Sequence, residues 1–219
     1  MQLKYNEIHV IGDSHFRAID VCFFHCPNYY YKHSPMSMHQ VSNHKIFYQL
    51  GVNSESLIPK NGLWIFCFGE IDVRCLIYNQ IHEKKRQEDE VINTLVDNYI
   101  DNCLSVYSEI GIMSVVPPSR HDPEKKNVNF PFIGSDKDRS RYTYKLNSRL
   151  KEKCKEKNLL YINIYDAYKD SEGFLSREYS DGDVHIEDKS KVKGILEKNN
   201  LKIKKESDFI KCIATLNEN

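Results

Sequence analysis

Apolar runs along the chain predict the strands of one sheet. Residues 8–11, 63–68, 110–116 and 159–164 are short and mostly apolar, the pattern of parallel strands that helices cover on both faces. A shorter apolar segment, 45–50, is expected to be the second strand in chain order. The sequence therefore indicates a sheet of about five strands.

Helical patterns separate these runs. Residues 87–109 and 139–157 each carry apolar side chains at intervals of three and four, typical of helices that lie on a sheet. A last helix is expected after His185, where acidic residues precede an apolar stripe. This alternation predicts an α/β fold, a three-layer α/β/α sandwich with a mainly parallel sheet and right-handed crossovers. Residues 25–44 and 121–138 are expected to be loops, the second of them a lid or a specificity loop.

The length and the charge of the chain limit its organisation and its partners. The 219 residues fit a single domain over 1–219, with a peripheral tail from about residue 199. Lys and Arg together number 31, as do Asp and Glu, so no net charge attracts nucleic acid or an anionic membrane. No apolar run approaches the ~20 residues of a membrane helix, and the N-terminus lacks a signal-peptide pattern. We expect a cytoplasmic protein with small or neutral partners, and the sequence leaves its oligomeric state open.

The seven cysteines predict neither disulfides nor a metal site. Their number is odd and most lie in apolar surroundings, which favours reduced thiols. Cys22, His25 and Cys26 are close enough in sequence to suggest metal ligands, but no second pair follows at a suitable spacing. We therefore expect no metal and no cofactor.

Polar residues with catalytic chemistry follow two of the predicted strands and recur near the C-terminus. The first strand ends at Gly12, and Asp13 and Ser14 come directly after it, an arrangement that presents a serine at the start of a helix. In the alternative interpretation, Asp13 or Ser14 only caps that helix. Residues 69–74 follow a second strand, and residues 180–186 place two aspartates beside a histidine. Because the carboxyl ends of parallel strands share one edge, we expect Ser14 and residues 69–74 to lie close together.

The order of these segments, serine first and acid with histidine last, resembles the SGNH (GDSL) hydrolase family. The resemblance covers most of the chain and implies a flavodoxin-like fold with a catalytic triad. It implies that Ser14 is the nucleophile and His185 the base. The family places the acid three residues before the histidine, where this chain has Gly182, so Asp181 and Asp183 are both candidates. We favour Asp181, because a separation of four residues can return a side chain to the same side of a turn.

Two other histidines are not expected to be the base. His9 lies inside the first predicted strand and should be buried. His15 follows the serine directly and is expected to belong to the pocket wall or to the start of the helix.

The resemblance also implies an oxyanion hole, from which this chain departs. In the family, a glycine after the second strand lends a backbone N–H, so Gly51 is the candidate here. A second motif, Gly-x-Asn-Asp, lends an asparagine side chain, but the matching residues are Gly69, Glu70, Ile71 and Asp72. The isoleucine side chain cannot donate a hydrogen bond. One lost donor costs about 3 kcal/mol of transition-state stabilisation in a well-studied protease.

Arg74 is the nearest substitute for the missing donor. Its guanidinium carries several N–H groups, and Glu70 or Asp72 would hold it in place. In the alternative interpretation, Glu70, Asp72 and Arg74 form a structural ion pair at the end of the strand. We expect the segment from Gly69 to Arg74 to border the pocket.

The resemblance implies a serine esterase that acts through an acyl-enzyme. Similar proteins act on O-acetyl groups of carbohydrates, so the expected substrate is a small-molecule or glycan ester that carries an O-acetyl or another short acyl group. Two alternatives stay open. One is an O-acyltransferase with the same triad, which would transfer acetyl to an added sugar faster than it hydrolyses. The other is an inactive glycan-binding protein, which would bind sugar without turnover.

Overall fold

The computed structural model describes residues 8–19, 28–32, 36–43, 62–105, 107–124 and 128–201. Its strands are β1 Ile8–Gly12, β2 Asn28–Lys32, β3 Leu63–Cys67, β4 Ile110–Met113 and β5 Leu160–Ile162. Its α-helices are α1 Met38–Asn43, α2 Ile77–His82, α3 Glu88–Leu104, α4 Asp136–Glu156, α5 Tyr165–Tyr168 and α6 Val192–Lys198. The described residues also form two 3₁₀ helices, Ser14–Ala18 and Arg177–Tyr179, and a π-helical turn, Asp72–Leu76.

The strands form one parallel sheet in the order β2-β1-β3-β4-β5. Val10 of β1 lies opposite Ile65 of β3, and Ile112 of β4 lies opposite Tyr161 of β5. Because every strand runs in the same direction, the loops after β1, β3 and β4 all leave the same edge of the sheet. The polar segments that follow these strands are therefore neighbours in space.

Two apolar cores cover the two faces of the sheet. Trp64 and Phe66 of β3 pack on one face, against apolar side chains of α1, α3 and α4. Leu63 and Ile65 point to the other face, against the 3₁₀ helix after β1 and against α5 and α6. Alternate residues of a strand point to opposite faces, so a strand covered on both sides has to be apolar throughout. The α/β architecture with helices on both faces is confirmed.

The helices differ from their predicted bounds at their ends. α4 begins before the predicted residue 139 because Ser135 forms a capping box, its hydroxyl accepting from the Asp138 N–H while the Asp138 carboxylate accepts from the Ser135 N–H. Asp136 and Asp138 also place acids in the first turn, where the helix dipole favours them. None of the described helices is both long and apolar enough to cross a membrane.

The edge strand β2 corrects the prediction that residues 25–44 are a loop. Residues 28–32 pair with β1, and the helix α1 follows within the same stretch. Tyrosine has a high strand propensity, but a short edge strand between polar residues shows no apolar run from which it could be recognised. The strand predicted at 45–50 lies outside the described residues.

Candidate active site

Ser14 stands at the carboxyl end of β1, where the chain turns sharply into a 3₁₀ helix. Gly12 makes this turn fit, since a Cβ at that position would collide with the carbonyl oxygen and the Cβ of Cys67 in β3. Asp13 caps the helix, with its Oδ1 accepting from the His15 N–H at 2.9 Å. The capping interpretation thus holds for Asp13. Ser14 is exposed, and its side chain takes no part in this cap.

The loop that carries His185 is a narrow closed turn. Ser180 and Ile186 pair as an antiparallel bridge, and the Asp181 N–H donates to the His185 carbonyl at 3.1 Å. Gly182 adopts a φ of +82°, which a glycine tolerates best. The turn brings residues 181 and 185 to the same side, and the buried Val184 and Ile186 anchor it to the body of the protein.

Ser14, His185 and Asp181 form a continuous chain of hydrogen bonds. The Ser14 Oγ lies 2.9 Å from the His185 Nε2, and the His185 Nδ1 lies 3.1 Å from the Asp181 Oδ2. The other carboxylate oxygen of Asp181 accepts from the N–H groups of Asp183 at 2.8 Å and of His185 at 3.2 Å. Asp183 thus contributes its backbone, and its carboxylate makes no hydrogen bond to the described residues.

The surroundings adjust the pKa values of this histidine and its acid. Burial raises the pKa of Asp181, but the three hydrogen bonds that its carboxylate accepts outweigh burial, so the pKa lies below its ordinary value. Burial lowers the pKa of His185, the neighbouring His15 lowers it further, and Asp181 opposes both effects only in part. The net result is a lowered pKa, which favours a neutral imidazole that can accept a proton.

Gly69 shapes the turn after β3. Its φ is +124°, and a Cβ there would lie 2.6 Å from a Val115 methyl and 2.9 Å from the Met38 methyl. A helical segment begins directly after Gly69. Ile71 lies in this segment, is buried, and has a side chain of hydrocarbon only. The chain therefore has no side-chain donor in the position of the family's asparagine. The N–H groups of Ser14 and Gly69 make no hydrogen bond to the described residues, and Gly51 lies outside them.

Glu70 and Arg74 form a buried ion pair one helical turn apart. The Arg74 Nε lies 2.8 Å from Oε1 of Glu70, and the Arg74 Nη2 donates to Oε2 at 2.9 Å. The rings of Phe130 and Phe132, from the predicted lid, lie 5.8 and 5.5 Å from the guanidinium carbon. Among the described residues, Arg74 makes no hydrogen bond to Ser14, and the hydrogen-bonding partner of its guanidinium is Glu70. This geometry agrees with the structural interpretation of the pair.

Asp72 is not part of this ion pair. Its carboxylate is fully buried and caps α1, accepting from the N–H groups of Met38 at 2.6 Å and His39 at 2.9 Å. Burial raises the pKa of Asp72 to about 7, although both of these hydrogen bonds act in the opposite direction. Of the two acids proposed as partners of Arg74, only Glu70 has that role.

Ser119 and His15 make contacts near the site that the sequence did not specify, although His15 lies at the start of the helix, as expected. Ser119, directly after the two prolines that follow β4, donates its hydroxyl to the Asp183 carbonyl and so supports the histidine loop. His15 is buried, and its ring stacks on His185 with centroids 4.9 Å apart. His9 is buried in β1, as predicted.

Among the described residues, no cluster of His, Cys, Asp or Glu could hold a metal ion. Cys22, His25 and Cys26 lie outside those residues.

Solved structures share this architecture at low sequence identity. A GDSL-like lipase from Bacteroides thetaiotaomicron VPI-5482 has a TM-score of 0.53 and 13% identity, over 90% of this chain and 85% of the lipase. The chain has the SGNH hydrolase fold. A candidate acylhydrolase from Bacteroides fragilis NCTC 9343 gives the same TM-score and identity, 0.53 and 13%, over 90% of this chain and 84% of the other. No protein-family model matches the chain, and no curated protein matches it in sequence.

The topology of the parallel sheet accounts for the position of each group. Ser14 stands in the turn that follows the first strand, at the start of the 3₁₀ helix. His185 and Asp181 come from the loop before α6, which closes over the carboxyl edge of the sheet. The segment after β3 has a glycine at position 69 and, two residues later, Ile71, whose side chain offers no donor.

Proposed function

We propose that this protein is a serine ester hydrolase that works through an acyl-enzyme. The observation that carries the proposal is the chain from the Ser14 Oγ to the His185 Nε2, and from the His185 Nδ1 to the Asp181 carboxylate, with distances of 2.9 and 3.1 Å. A serine hydroxyl is a weak nucleophile at neutral pH unless a base lies within hydrogen-bond distance of it. A carboxylate on the far nitrogen fixes the tautomer in which the near nitrogen accepts.

The proposed reaction has two halves. In the first, His185 takes the Ser14 proton while Oγ attacks the ester carbonyl. The tetrahedral intermediate then collapses, and His185 gives the proton to the departing alcohol. In the second half, water attacks the acyl carbonyl while His185 takes its proton. The second tetrahedral intermediate then collapses, the bond between the acyl carbon and the Ser14 Oγ breaks, His185 returns the proton to Oγ, and the acid is released. Asp181 stabilises the imidazolium that forms in both halves.

The oxyanion hole is the part of the proposed site with the fewest identified hydrogen-bond donors among the described residues. The Ser14 N–H, at the start of the 3₁₀ helix, belongs to the nucleophile itself and is the first candidate donor, and Gly51 and Gly69 are the other backbone candidates. Ile71 offers no donor, and Glu70 binds the Arg74 guanidinium. Loss of one donor costs about 3 kcal/mol of transition-state stabilisation. We therefore expect a slow enzyme rather than an inactive one.

The substrate we propose is an O-acetyl or another short acyl ester of a carbohydrate or glycoconjugate. The balanced charge of the chain supports a small or neutral partner and gives no reason to expect nucleic acid or a membrane surface. Ile71 favours one alternative, a glycan-binding protein without turnover, because that residue removes a donor that catalysis uses. The intact Ser14-His185-Asp181 arrangement argues for the enzyme.

The variant Ser14→Ala tests the proposed function. It should lower the hydrolysis of p-nitrophenyl acetate by at least about a thousandfold, because the nucleophile is removed. The melting temperature should stay nearly the same, since the Ser14 side chain is exposed. A folded Ser14→Ala protein that retains most of the wild-type activity would show that the triad proposal is wrong.

A further inference from the structure

His15 makes two side-chain hydrogen bonds in opposite directions. Its Nδ1 lies 3.0 Å from the Asp13 Oδ1, and its Nε2 lies 3.2 Å from the Val184 carbonyl oxygen. Val184 directly precedes His185, and the two bonded residues, 15 and 184, are 169 positions apart in sequence. The ring therefore connects the turn that carries Ser14 to the loop that carries His185.

The chemistry of the two partners determines the protonation of this ring. A carbonyl oxygen can only accept, and so can an ionised carboxylate. Both ring nitrogens of His15 must then carry hydrogen, which makes the ring an imidazolium. The partners of His185 have the opposite effect, because its Nδ1 donates to Asp181 while its Nε2 accepts from Ser14. A charged ring thus lies against a neutral one.

The charged groups around His15 are consistent with this state. Asp13 is buried, and its second carboxylate oxygen has no hydrogen-bond partner in the described part of the chain. Burial lowers the pKa of His15, but the carboxylates of Asp13 and Glu70 outweigh burial and the opposing effect of Arg74, so the pKa is raised. Among the described residues, the charged groups that shift the pKa of His185 are Asp181, Glu70 and His15 itself.

We propose that His15 is a positioning residue whose protonated ring ties the serine turn to the histidine loop and places a positive charge against His185. The proposal rests on the proposed function of Ser14 and His185 and adds a role for a residue that does not touch the substrate. A histidine bonded to a carboxylate tends to become protonated, and a protonated His185 could not accept the Ser14 proton. The charge on His15 opposes that protonation and keeps His185 neutral, so that His185 can accept the Ser14 proton.

Two substitutions distinguish the effect of the positive charge on His15 from the effect of its hydrogen bond to Val184. His15→Gln puts an amide N–H near the place of Nε2, so it can keep the bond to Val184 without the charge. His15→Asn puts its amide near the place of Nδ1, so it can keep only the bond to Asp13. His82→Gln is the matched control, because His82 is an exposed histidine at the end of α2 and lies outside the site.

Nuclear magnetic resonance of the full chain, labelled with ¹⁵N in its histidine rings, measures both states without any substrate. At pH 7 we expect both nitrogens of His15 to be protonated. The titration midpoint of His185 should rise by about one pH unit in His15→Gln, because a like charge nearby has been removed. It should stay unchanged in His82→Gln. An unprotonated His15 nitrogen at pH 7, or an unchanged His185 midpoint in His15→Gln, would overturn the proposal.

The pH profile of kcat/KM gives the kinetic counterpart. With p-nitrophenyl acetate, the acid limb should move to higher pH in both His15 variants, and kcat at the high-pH plateau should fall further in His15→Asn, which also loses the connection to Val184. Equal plateau values in the two folded variants would contradict the connecting role. If the wild-type protein does not hydrolyse esters, the proposed function fails, and the resonance titration still decides the role of His15.

Discussion

Asp181 and Asp183 lie two residues apart in one loop, yet only Asp181 faces His185. The loop places the Asp181 carboxylate against the ring and against two backbone N–H groups, one of which belongs to Asp183. A separation of four residues brings the acid back to the side of the histidine, as expected from the sequence. Asp183 is exposed, and its carboxylate is not needed for this geometry.

Asparagine substitutions at these two positions form a matched pair. Asp181→Asn should lower kcat by roughly 10³- to 10⁴-fold, since an amide favours the wrong histidine tautomer, as it does in serine proteases. Asp183→Asn keeps the backbone N–H and should change kcat/KM by no more than about threefold. Steady-state kinetics on a short acyl ester provides the measurement. Small and equal losses would mean that Ser14 and His185 act without an orienting acid.

The helical segment after β3 shows that spacing alone does not assign a role to an arginine. Glu70 and Arg74 lie one turn apart, so either a structural pair or an oxyanion donor was compatible with the sequence. Arg74 turns toward Glu70 because the segment is buried under the rings of Phe130 and Phe132, and removing both charges from solvent requires that they pair. That packing depends on a loop more than fifty residues away along the chain, which no local pattern reveals.

Removal of Arg74 should therefore affect stability first. Arg74→Met should lower the free energy of unfolding by about 3–5 kcal/mol, because Glu70 is left as a buried, unpaired charge. Adding Glu70→Gln should recover part of that loss. Arg86→Met is the control: Arg86 and Glu90 have the same spacing, but their side chains are 35% and 54% exposed, so the expected loss is below about 1 kcal/mol. Urea denaturation measures all four proteins. A large fall in kcat without loss of stability would instead assign Arg74 to the oxyanion.

At the scale of the whole molecule, the sheet topology brings together residues that are far apart in the sequence. Ser14 and His185 are 171 residues apart in sequence, and the parallel sheet places both at its carboxyl edge. The buried strands and the long helices were predictable, because the spacing of their apolar residues follows directly from which side chains are buried. β2 was not, because an edge strand lacks that signal. The role of His15 was also not predictable, because its partner Val184 lies at the other end of the chain.

Reaction with a fluorophosphonate probe, followed by mass-spectrometric mapping of the modified residue, tests the central claim most directly. The probe reacts with a serine that a neighbouring base has activated, so it requires no knowledge of the natural ester. We expect one adduct on Ser14, slower labelling in Asp181→Asn, and no adduct in Ser14→Ala or in heat-denatured protein. An unlabelled folded protein, or an adduct on a residue other than Ser14, would contradict the account.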